Sequence, residues 1–504
     1  MRQVLTPGQT RAVAFAAVML VGLALRVATA IHFSNINHSD EIFQYLEPAH
    51  RLVFGYGLID PIFQHDRSWV MPGLLAAIIK AASVWSDDPA VYIGAVGIVM
   101  SLLSLTLVAI AFLWGLRLYG TMGAIVTGSV AATWIELVYF APHPLTDTLA
   151  ADAMVAAVYV VYPETDLRPR RAFAACGLLL GVAFAIRWQL APIYLLITLW
   201  VCRGFIKNRW LPFAIGVGVP VLALGVLDAV TRDYPFQSVL APFLLHYVAG
   251  EPWYYYLGVL TLNWSGAIVL VLGLACLGAR RLPLLAVVVV ATLLVHSLHV
   301  TRVYRYIYPA LPFLFVLVGI GASDMVDRLS SGHPARRRAL AAVAVGSAVL
   351  TSAALAVGEN FRVYLNKDGA LTMAFATVGK EADLCGLAVT GIDWWRLPGY
   401  TYLHRDIPIY LLPAAEIGRP SQSFNYLVSF SGLDRDPPKA AAVPGFSRQR
   451  CFTNAGFHAD TAGKVCIYHR SGNCVPSAES AVKNRLVDEF SRIRGKGQAR
   501  ARPG

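Results

Sequence analysis

Residues 91–115 read VYIGAVGIVMSLLSLTLVAIAFLWG and contain no charged side chain. About 20 apolar residues are enough for a helix to cross a bilayer, so this stretch predicts a transmembrane helix. Similar runs recur along the 504-residue chain, and only 14% of its residues are charged. A soluble globular protein has about 25% charged residues. The composition therefore predicts a polytopic membrane protein.

The spacing of the apolar runs predicts eleven transmembrane helices. They lie near residues 12–32, 91–115, 122–141, 147–162, 172–187, 189–203, 211–231, 254–277, 282–300, 306–324 and 338–357. With the N-terminus inside, the basic clusters between spans fall in cytoplasmic loops, as the positive-inside rule requires. Arg302 and Arg305 are the exceptions. We expect the first run, which contains Arg26 and lacks a small-residue cleavage site, to be a retained span rather than a signal peptide.

The net charge of +12 is divided among these short loop clusters. A nucleic-acid-binding protein would instead carry a continuous basic face or stripe. The placement of charge therefore excludes nucleic acid as a partner and makes membrane lipids the expected surroundings.

The composition changes near Glu359, where charged residues, glycine and proline become more frequent. The runs "GLAVTGI" and "KVCIYHR" after this point are typical of strands. The predicted fold class is therefore an all-α polytopic membrane protein with a C-terminal extracytoplasmic α+β domain. The expected domains are a transmembrane domain (1–358) with its first extracytoplasmic loop (33–90), a soluble domain (359–490) and a basic, disordered tail (491–504). The apolar run 69–85 in the first loop is expected to be a re-entrant or interfacial helix.

Four of the seven cysteines lie in the C-terminal region: Cys385, Cys451, Cys466 and Cys474. An even number in an extracytoplasmic domain favours one or two disulfides in an oxidising compartment. Free thiols are the alternative, and "CIYHRSGNC" leaves a zinc site as a further one. The other three cysteines lie in or beside spans and are expected to be small buried apolar residues: Cys176, Cys202 and Cys276.

The first loop begins with "NHSDEIFQYLEPAHRLVFGYG", residues 37–57. On a helix that starts near Asp40, the residues Asp40, Gln44 and Glu47 share one face, with Arg51 one turn further along. Glu41 lies about 100° away around the helix. Asn37 or Ser39 is expected to cap this helix, and further carboxylates follow at Asp60 and Asp66. A capped amphipathic surface helix is the alternative interpretation.

The predicted topology brings further polar residues to the same side of the membrane. They lie at the outer ends of predicted spans: His143, Asp147, Arg187, Arg302 and Arg305. A single arginine in such a position often reaches towards lipid headgroups. Several arginines beside carboxylates indicate a site for an anionic ligand.

Transfer of a sugar from a polyprenyl phosphate needs these groups. The leaving phosphate requires cationic contacts, which arginine provides in bidentate geometry. One carboxylate can take the proton of the acceptor hydroxyl, which inverts the anomeric carbon. We therefore expect a glycosyltransferase with a polyprenyl-phosphate-linked sugar donor, a glycan or glycolipid acceptor, no cofactor and no metal. A lipid-linked-sugar flippase or other transporter is the alternative.

The segment "HSDEIFQYLEPAHRLVFGYG", followed by "RSWVMPGLLA", resembles the first-loop signature of the Alg9-like mannosyltransferases, glycosyltransferase family 22. The signature H-P-D-E-x-F-Q-x-x-E is matched except that Ser39 replaces proline. Its matching residues are His38, Asp40, Glu41, Phe43, Gln44 and Glu47. "HPLTDTLAAD" and "YRYIYPALP" resemble further blocks of that family.

The resemblance implies a membrane fold of the GT-C type with about eleven transmembrane helices. It also implies a polyprenyl-phosphate-mannose donor, an inverting, metal-independent transfer, and Asp40 as the base. The remaining motif residues would bind or position the substrates. One block departs from the family, because Thr301, Arg302 and Val303 stand where H-K-E is usual, and His299 comes two residues early. A different donor sugar, such as an aminopentose or glucose, therefore stays open. The Ala- and Arg-rich composition favours a bacterial inner-membrane protein facing the periplasm; in a eukaryote the site would face the lumen of the endoplasmic reticulum.

Overall fold

The computed structural model describes residues 6–33, 35–36, 38–58, 67–203, 207–241, 254–298, 302–412, 422–432, 445–456 and 462–475. This part of the chain is mostly helical and includes a small β-sheet near its C-terminal end. Both features agree with the predicted fold class. Asn37, Asp60, Asp66, His299, Thr301 and the tail 491–504 lie outside the described residues.

The helices are numbered here in chain order. They are α1 (Pro7–His32), α2 (Glu47–Phe54), α3 (Val70–Ala82), α4 (Pro89–Thr133), α5 (Ile135–Tyr139), α6 (Thr146–Val161), α7 (Arg170–Ile186), α8 (Ala191–Val201), α9 (Lys207–Thr231), α10 (Gln237–Leu240), α11 (Tyr255–Trp264), α12 (Ala267–Ala279), α13 (Pro283–Leu298), α14 (Leu311–Ser330), α15 (Pro334–Val357), α16 (Glu359–Asn366), α17 (Gly369–Gly379) and α18 (Gly399–Leu403). A π-helical turn covers Glu41–Leu46, and a 3₁₀ helix covers Tyr304–Ala310.

The chain divides into two compact units. The first contains residues 1–30, 97–230 and 247–358, and the second contains residues 31–96, 231–246 and 359–504. The first unit holds most of the apolar helices, and the second holds the first-loop motif and the sheet. The division into linear domains at residue 358 stays a prediction beside this grouping.

Every predicted span coincides with a helix, although several of these helices are short. Among the described residues, five helices are long and apolar enough to cross a membrane. They are Pro7–His32, Pro89–Thr133, Asn208–Thr231, Tyr304–Ser330 and Pro334–Val357. The predicted helix in the first loop is also present, as α3. The number eleven stays a prediction, since it depends on the shorter helices as well.

The long helix α4 is two helices that meet at Gly120. Its φ of 66° and ψ of −160° interrupt the helical backbone, a conformation that glycine adopts without steric cost. On either side of this turn, a Cβ on Gly115 would lie 2.3 Å from the carbonyl oxygen of Gly123. The two arms therefore pack with their backbones in close contact, and the separate predicted spans 91–115 and 122–141 are confirmed as separate helices.

The predicted span 254–277 is broken into two helices. Helices α11 and α12 meet at an angle of 109°. Ser265, between them, has a φ of 47° and a ψ of −132°, which no helix accommodates. Hydropathy alone could not reveal this break, because both halves are apolar.

The second unit contains a five-stranded sheet with the order β2-β1-β3-β5-β4. Its strands are β1 (Leu387–Thr390), β2 (Ile409–Leu412), β3 (Tyr426–Gly432), β4 (Ser447–Asn454) and β5 (Gly463–His469). Strand β1 is parallel to β2 and β3, and β5 is antiparallel to β3 and β4. The two runs predicted as strands form β1 and β5. Buried Leu427, Cys466 and Tyr468 belong to one apolar cluster on the sheet.

All four C-terminal cysteines form disulfides, as the sequence predicts. Cys451 pairs with Cys466 between β4 and β5, and Cys385 pairs with Cys474. Among the other three cysteines, Cys176 and Cys202 are buried, as expected, whereas Cys276 is exposed. The expectation of burial is therefore wrong for Cys276, which lies on the outer surface of α12.

Candidate active site

The first-loop motif is helical from Ser39, close to the predicted start, and its residues Glu41–Leu46 form a π-helical turn that continues into α2. Asp40 precedes this turn, and its Oδ1 accepts a hydrogen bond from Gln44 Nε2 at 2.8 Å. His38 Nδ1 accepts from the Asp40 backbone N–H at 3.2 Å and lies 3.5 Å from Asp40 Oδ1. The Asp40 side chain is 18% exposed, so it is held by neighbours and still open on one side. π-Helical segments are rare and are frequent at functional sites.

Of the two predicted helix caps, Asn37 lies outside the described residues. Ser39 makes no capping hydrogen bond; its hydroxyl lies 3.5 Å from His38 Nδ1. Glu41 instead closes the turn, because its Oε1 accepts from the His38 N–H while its own N–H donates to the His38 carbonyl. One oxygen of this buried carboxylate thus accepts from the His38 backbone, and the expected positioning role of Glu41 stays a prediction.

Glu47 is completely buried in the second unit. Its Oε2 accepts from the Leu58 N–H at 2.6 Å, and its Oε1 accepts from both the N–H and the hydroxyl of Thr401. Burial raises the pKa of Glu47 to about 7, although these hydrogen bonds act in the opposite direction. Glu47 thus binds Leu58 in the first loop and Thr401 in α18. We infer that it joins these two segments.

In the first unit, two arginines share one carboxylate. Asp147 lies in the first turn of α6, where the helix dipole stabilises negative charge. Arg187 Nε is 2.9 Å from its Oδ1, and Arg305 Nη1 is 3.4 Å from its Oδ2. Arg187 also donates to the Thr146 hydroxyl at 3.1 Å. Three of the predicted site residues are therefore brought together, from α6, the C-cap of α7 and the 3₁₀ helix.

The described part of this cluster consists of two arginines, one carboxylate and an aromatic ring. The Tyr306 ring contacts both guanidinium groups, with centroid distances of 5.3 Å to Arg187 and 5.1 Å to Arg305. The Arg305 side chain is 1% exposed and that of Arg187 is 9% exposed. Two neighbouring guanidinium groups with little exposure to water attract an anion that approaches them. A phosphate, with several acceptor oxygens, suits paired guanidinium groups.

Two other predicted residues lie in different surroundings. Arg302 donates through Nε and Nη2 to the Ser297 carbonyl, at 3.0 and 2.8 Å, and so caps the C-terminal end of α13. His143 is buried between α5 and α6, with its ring 4.9 Å from the Tyr139 ring. A substrate contact for either residue stays a prediction.

The sequence analysis did not identify the buried carboxylate Glu136, nor the structural role of Arg26. Glu136 accepts hydrogen bonds from three side chains of the first unit. Arg26 donates to the carbonyls of Ala131 and Ala132 and to the Ser104 hydroxyl. A charged residue inside an apolar span is the signal that could have identified both.

No group of three or more histidine, cysteine or carboxylate side chains suited to a metal ion occurs within the described ranges. Both cysteines of "CIYHRSGNC", Cys466 and Cys474, form disulfides with other cysteines, so their sulfur atoms are not free thiolates that could bind zinc.

A family model described as the Alg9-like mannosyltransferase family matches residues 17–404. The chain belongs to this family. The resemblance carried by the first-loop motif is thus confirmed, and the match includes both the Asp40 segment and the Asp147–Arg187–Arg305 cluster.

This Alg9-like chain is 28% identical over 321 residues to GPI mannosyltransferase 3 of Yarrowia lipolytica, covering 59% of this chain and 60% of that protein. It is 26% identical over 345 residues to GPI alpha-1,2-mannosyltransferase 3 of Mus musculus, covering 61% and 59% respectively. It is also 26% identical over 461 residues to mannosyltransferase APTG1 of Arabidopsis thaliana, covering 82% and 81%. The chain thus spans about three fifths of the length of the first two relatives.

Two solved structures share the fold of this Alg9-like chain. ArnT from Cupriavidus metallidurans, bound to undecaprenyl phosphate, matches 92% of this chain and 99% of its own at 14% identity, with a TM-score of 0.58. The Archaeoglobus fulgidus oligosaccharyltransferase matches 83% and 68% at 13% identity, with a TM-score of 0.50. These likenesses show the fold, that of the GT-C membrane glycosyltransferases.

Proposed function

We propose that this protein transfers mannose from a polyprenyl-phosphate donor to a glycan or glycolipid acceptor, with inversion at the anomeric carbon. The observation that carries the proposal is the cluster in which Arg187 and Arg305 share Asp147. Its two guanidinium groups suit the phosphate of such a donor, because the leaving group becomes more negative as the glycosidic bond breaks. The similarity to GPI mannosyltransferases favours mannose as the sugar.

In the proposed reaction Asp40 acts as the base. The acceptor hydroxyl loses its proton to the Asp40 carboxylate while its oxygen forms a bond to the anomeric carbon. The bond between that carbon and the phosphate oxygen breaks, and the polyprenyl phosphate leaves with the electron pair. Arg187 and Arg305 balance the new negative charge, so no step of the proposal requires a metal ion. Gln44 orients Asp40 through its 2.8 Å hydrogen bond.

The membrane side belongs to the proposal as well. We place the site on the extracytoplasmic face, with residues 359–490 as a soluble domain on that face. Two disulfides in this region support an oxidising compartment. A bacterial inner membrane facing the periplasm, or the endoplasmic reticulum in a eukaryote, meets this requirement. The ligand of the related fold, undecaprenyl phosphate in ArnT, supports a polyprenyl phosphate as the lipid.

The donor class can be tested with purified protein in lipid nanodiscs. Labelled mannose is supplied either as polyprenyl-phosphate mannose or as GDP-mannose, together with glycolipids extracted from cells that lack the gene. We expect transfer only from the lipid-linked donor, and we expect it to continue in the presence of EDTA. Transfer from GDP-mannose, or a strict requirement for Mg²⁺ or Mn²⁺, would contradict the proposal. Movement of the intact donor across proteoliposomes without transfer would instead favour a flippase.

A further inference from the structure

Three interruptions of helices in the first unit meet at one carboxylate. Helix α4 ends before Trp134, whose ψ of 126° is extended. Helix α11 ends at Trp264, immediately before the break at Ser265. The 3₁₀ helix begins at Tyr304, after the extended residue Val303. Each break therefore places one aromatic donor at its edge.

All three donors bind Glu136. The indole N–H groups of Trp134 and Trp264 each donate to its Oε2 at 2.7 Å, and the Tyr304 hydroxyl donates to its Oε1. Glu136 and Trp264 are completely buried, and Trp134 and Tyr304 are nearly so. A buried carboxylate is stable only when its hydrogen bonds are made, so the position of each broken helix depends on the same side chain.

The break after α4 is also held from its other side. Its open carbonyls accept hydrogen bonds from side chains: those of Ala131 and Ala132 from Arg26, and that of Thr133 from Ser352 at 2.6 Å. Backbone groups in a membrane need such partners, and irregular backbone there is tolerated only where it is buried in protein or lines a cavity. The interruption is thus an ordered feature, and Glu136 is fixed in place relative to α1 and α15.

We propose that Glu136 is a positioning residue for the donor phosphate and that it acts through Tyr304 on Arg305. Tyr304 and Arg305 are consecutive residues, so the hydrogen bond that fixes the Tyr304 ring also fixes the start of the 3₁₀ helix from which Arg305 reaches Asp147. Trp134 and Trp264, at the broken ends of α4 and α11, donate to the other carboxylate oxygen of Glu136. This inference rests on the proposed function, in which Arg305 binds the phosphate.

The test measures the affinity of the purified protein for polyprenyl phosphate in nanodiscs. Glu136→Gln replaces an acceptor oxygen by an NH₂ group, and Tyr304→Phe removes the hydroxyl donor. We expect either change to weaken binding by about tenfold, the effect of losing one hydrogen bond to a charged group. The double variant should bind no more weakly than the single ones, because both changes remove the same contact.

The decisive comparison uses Arg305→Gln as a background. If Glu136 acts through Arg305, then adding Glu136→Gln to Arg305→Gln should cause no further loss of affinity. An additional tenfold loss in this background, or wild-type affinity for Glu136→Gln alone, would overturn the inference. A wild-type protein that binds no polyprenyl phosphate would overturn the proposed function instead.

Asp324→Asn is the matched control for general destabilisation. Asp324 is also a buried carboxylate of the first unit that accepts from a tyrosine, Tyr119 at 2.7 Å, and it pairs with Arg328. It lies near the end of α14 that is far from Tyr304 and Arg305. We expect Asp324→Asn to lower the thermal midpoint while the affinity for polyprenyl phosphate stays at the wild-type value. An equal loss of affinity in this control would show that Glu136 acts only through stability.

Discussion

Asp147 determines how the two arginines of the candidate site are held. Its two oxygens contact different guanidinium groups, and its side chain is only 1% exposed. Removal of its charge would leave two buried cations side by side, next to the Thr146 hydroxyl and the Tyr306 ring. The carboxylate therefore has both a stabilising and an orienting role.

We expect Asp147→Asn to lower the free energy of unfolding by about 3–5 kcal/mol, the usual cost of an uncompensated buried charge. Turnover should fall by about tenfold, because the arginines lose their orientation. Thermal unfolding and mannose transfer check the two expectations. Asp166→Asn is the control, since Asp166 also pairs with two arginines but is 64% exposed; exposed pairs contribute little. Equal effects of the two substitutions would contradict the assigned role of Asp147.

The arginine cluster could be predicted because of where its members lie in the chain. Asp147, Arg187 and Arg305 occupy the ends of apolar runs, and a consistent topology placed those ends on one side. Glu136 could not be placed in the same way, because its partners Trp264 and Tyr304 come from segments 128 and 168 residues away. Hydropathy describes each segment separately and carries no information on which broken ends meet.

At the scale of elements, the joint between the first loop and α18 is a closely packed contact of the second unit. Gly399 has a φ of 70°, and a Cβ on it would lie 2.3 Å from Glu47 Oε1. Neither the positive φ nor the close approach tolerates a side chain. The sequence predicted the helix that carries Glu47, but the partner of that residue, Thr401, is 354 residues away.

We expect Gly399→Ala to destabilise the second unit by about 1–3 kcal/mol, the cost of an unfavourable φ for a residue other than glycine. The displaced Glu47 should add to this cost. Gly73→Ala is the control, because Gly73 lies in α3 with nothing within 4 Å of its added Cβ; alanine there should stabilise by about 0.5–1 kcal/mol. Thermal unfolding of the purified proteins measures both. Similar midpoints for the two variants would refute this account of the joint.

Helix boundaries show where sequence patterns succeed and where they fail. The turn at Gly120 was predictable, since a basic residue, Arg117, separates two apolar runs. The break at Ser265 was missed because the runs on both sides are apolar, although the dipeptide Ser265–Gly266 is typical of turns. The π-helical turn at Glu41–Leu46 was equally hidden, since its residues also fit an α-helical face.

At the scale of the whole molecule, the account requires one orientation in the membrane. We propose that the N-terminus lies inside and residue 360 outside, because the basic residues cluster after alternate predicted spans. A reporter that is active only outside the cytoplasm should therefore work when fused after residue 360. A reporter that is active only inside should work when fused after Arg281. Exchanged activities would reverse the topology and, with it, the compartment proposed for the disulfides.

The central claim is that Asp40 is the base for transfer of mannose from a polyprenyl phosphate. It is tested most directly by comparing wild-type protein with Asp40→Asn, using labelled polyprenyl-phosphate mannose and glycolipids from cells that lack the gene. Because this substitution keeps the size of the side chain and removes its basicity, transfer should fall by about 10²- to 10⁴-fold, while affinity for polyprenyl phosphate and the thermal midpoint stay unchanged. Near-normal transfer by Asp40→Asn, together with complete loss in Asp147→Asn, would contradict the account and make Asp147 the base.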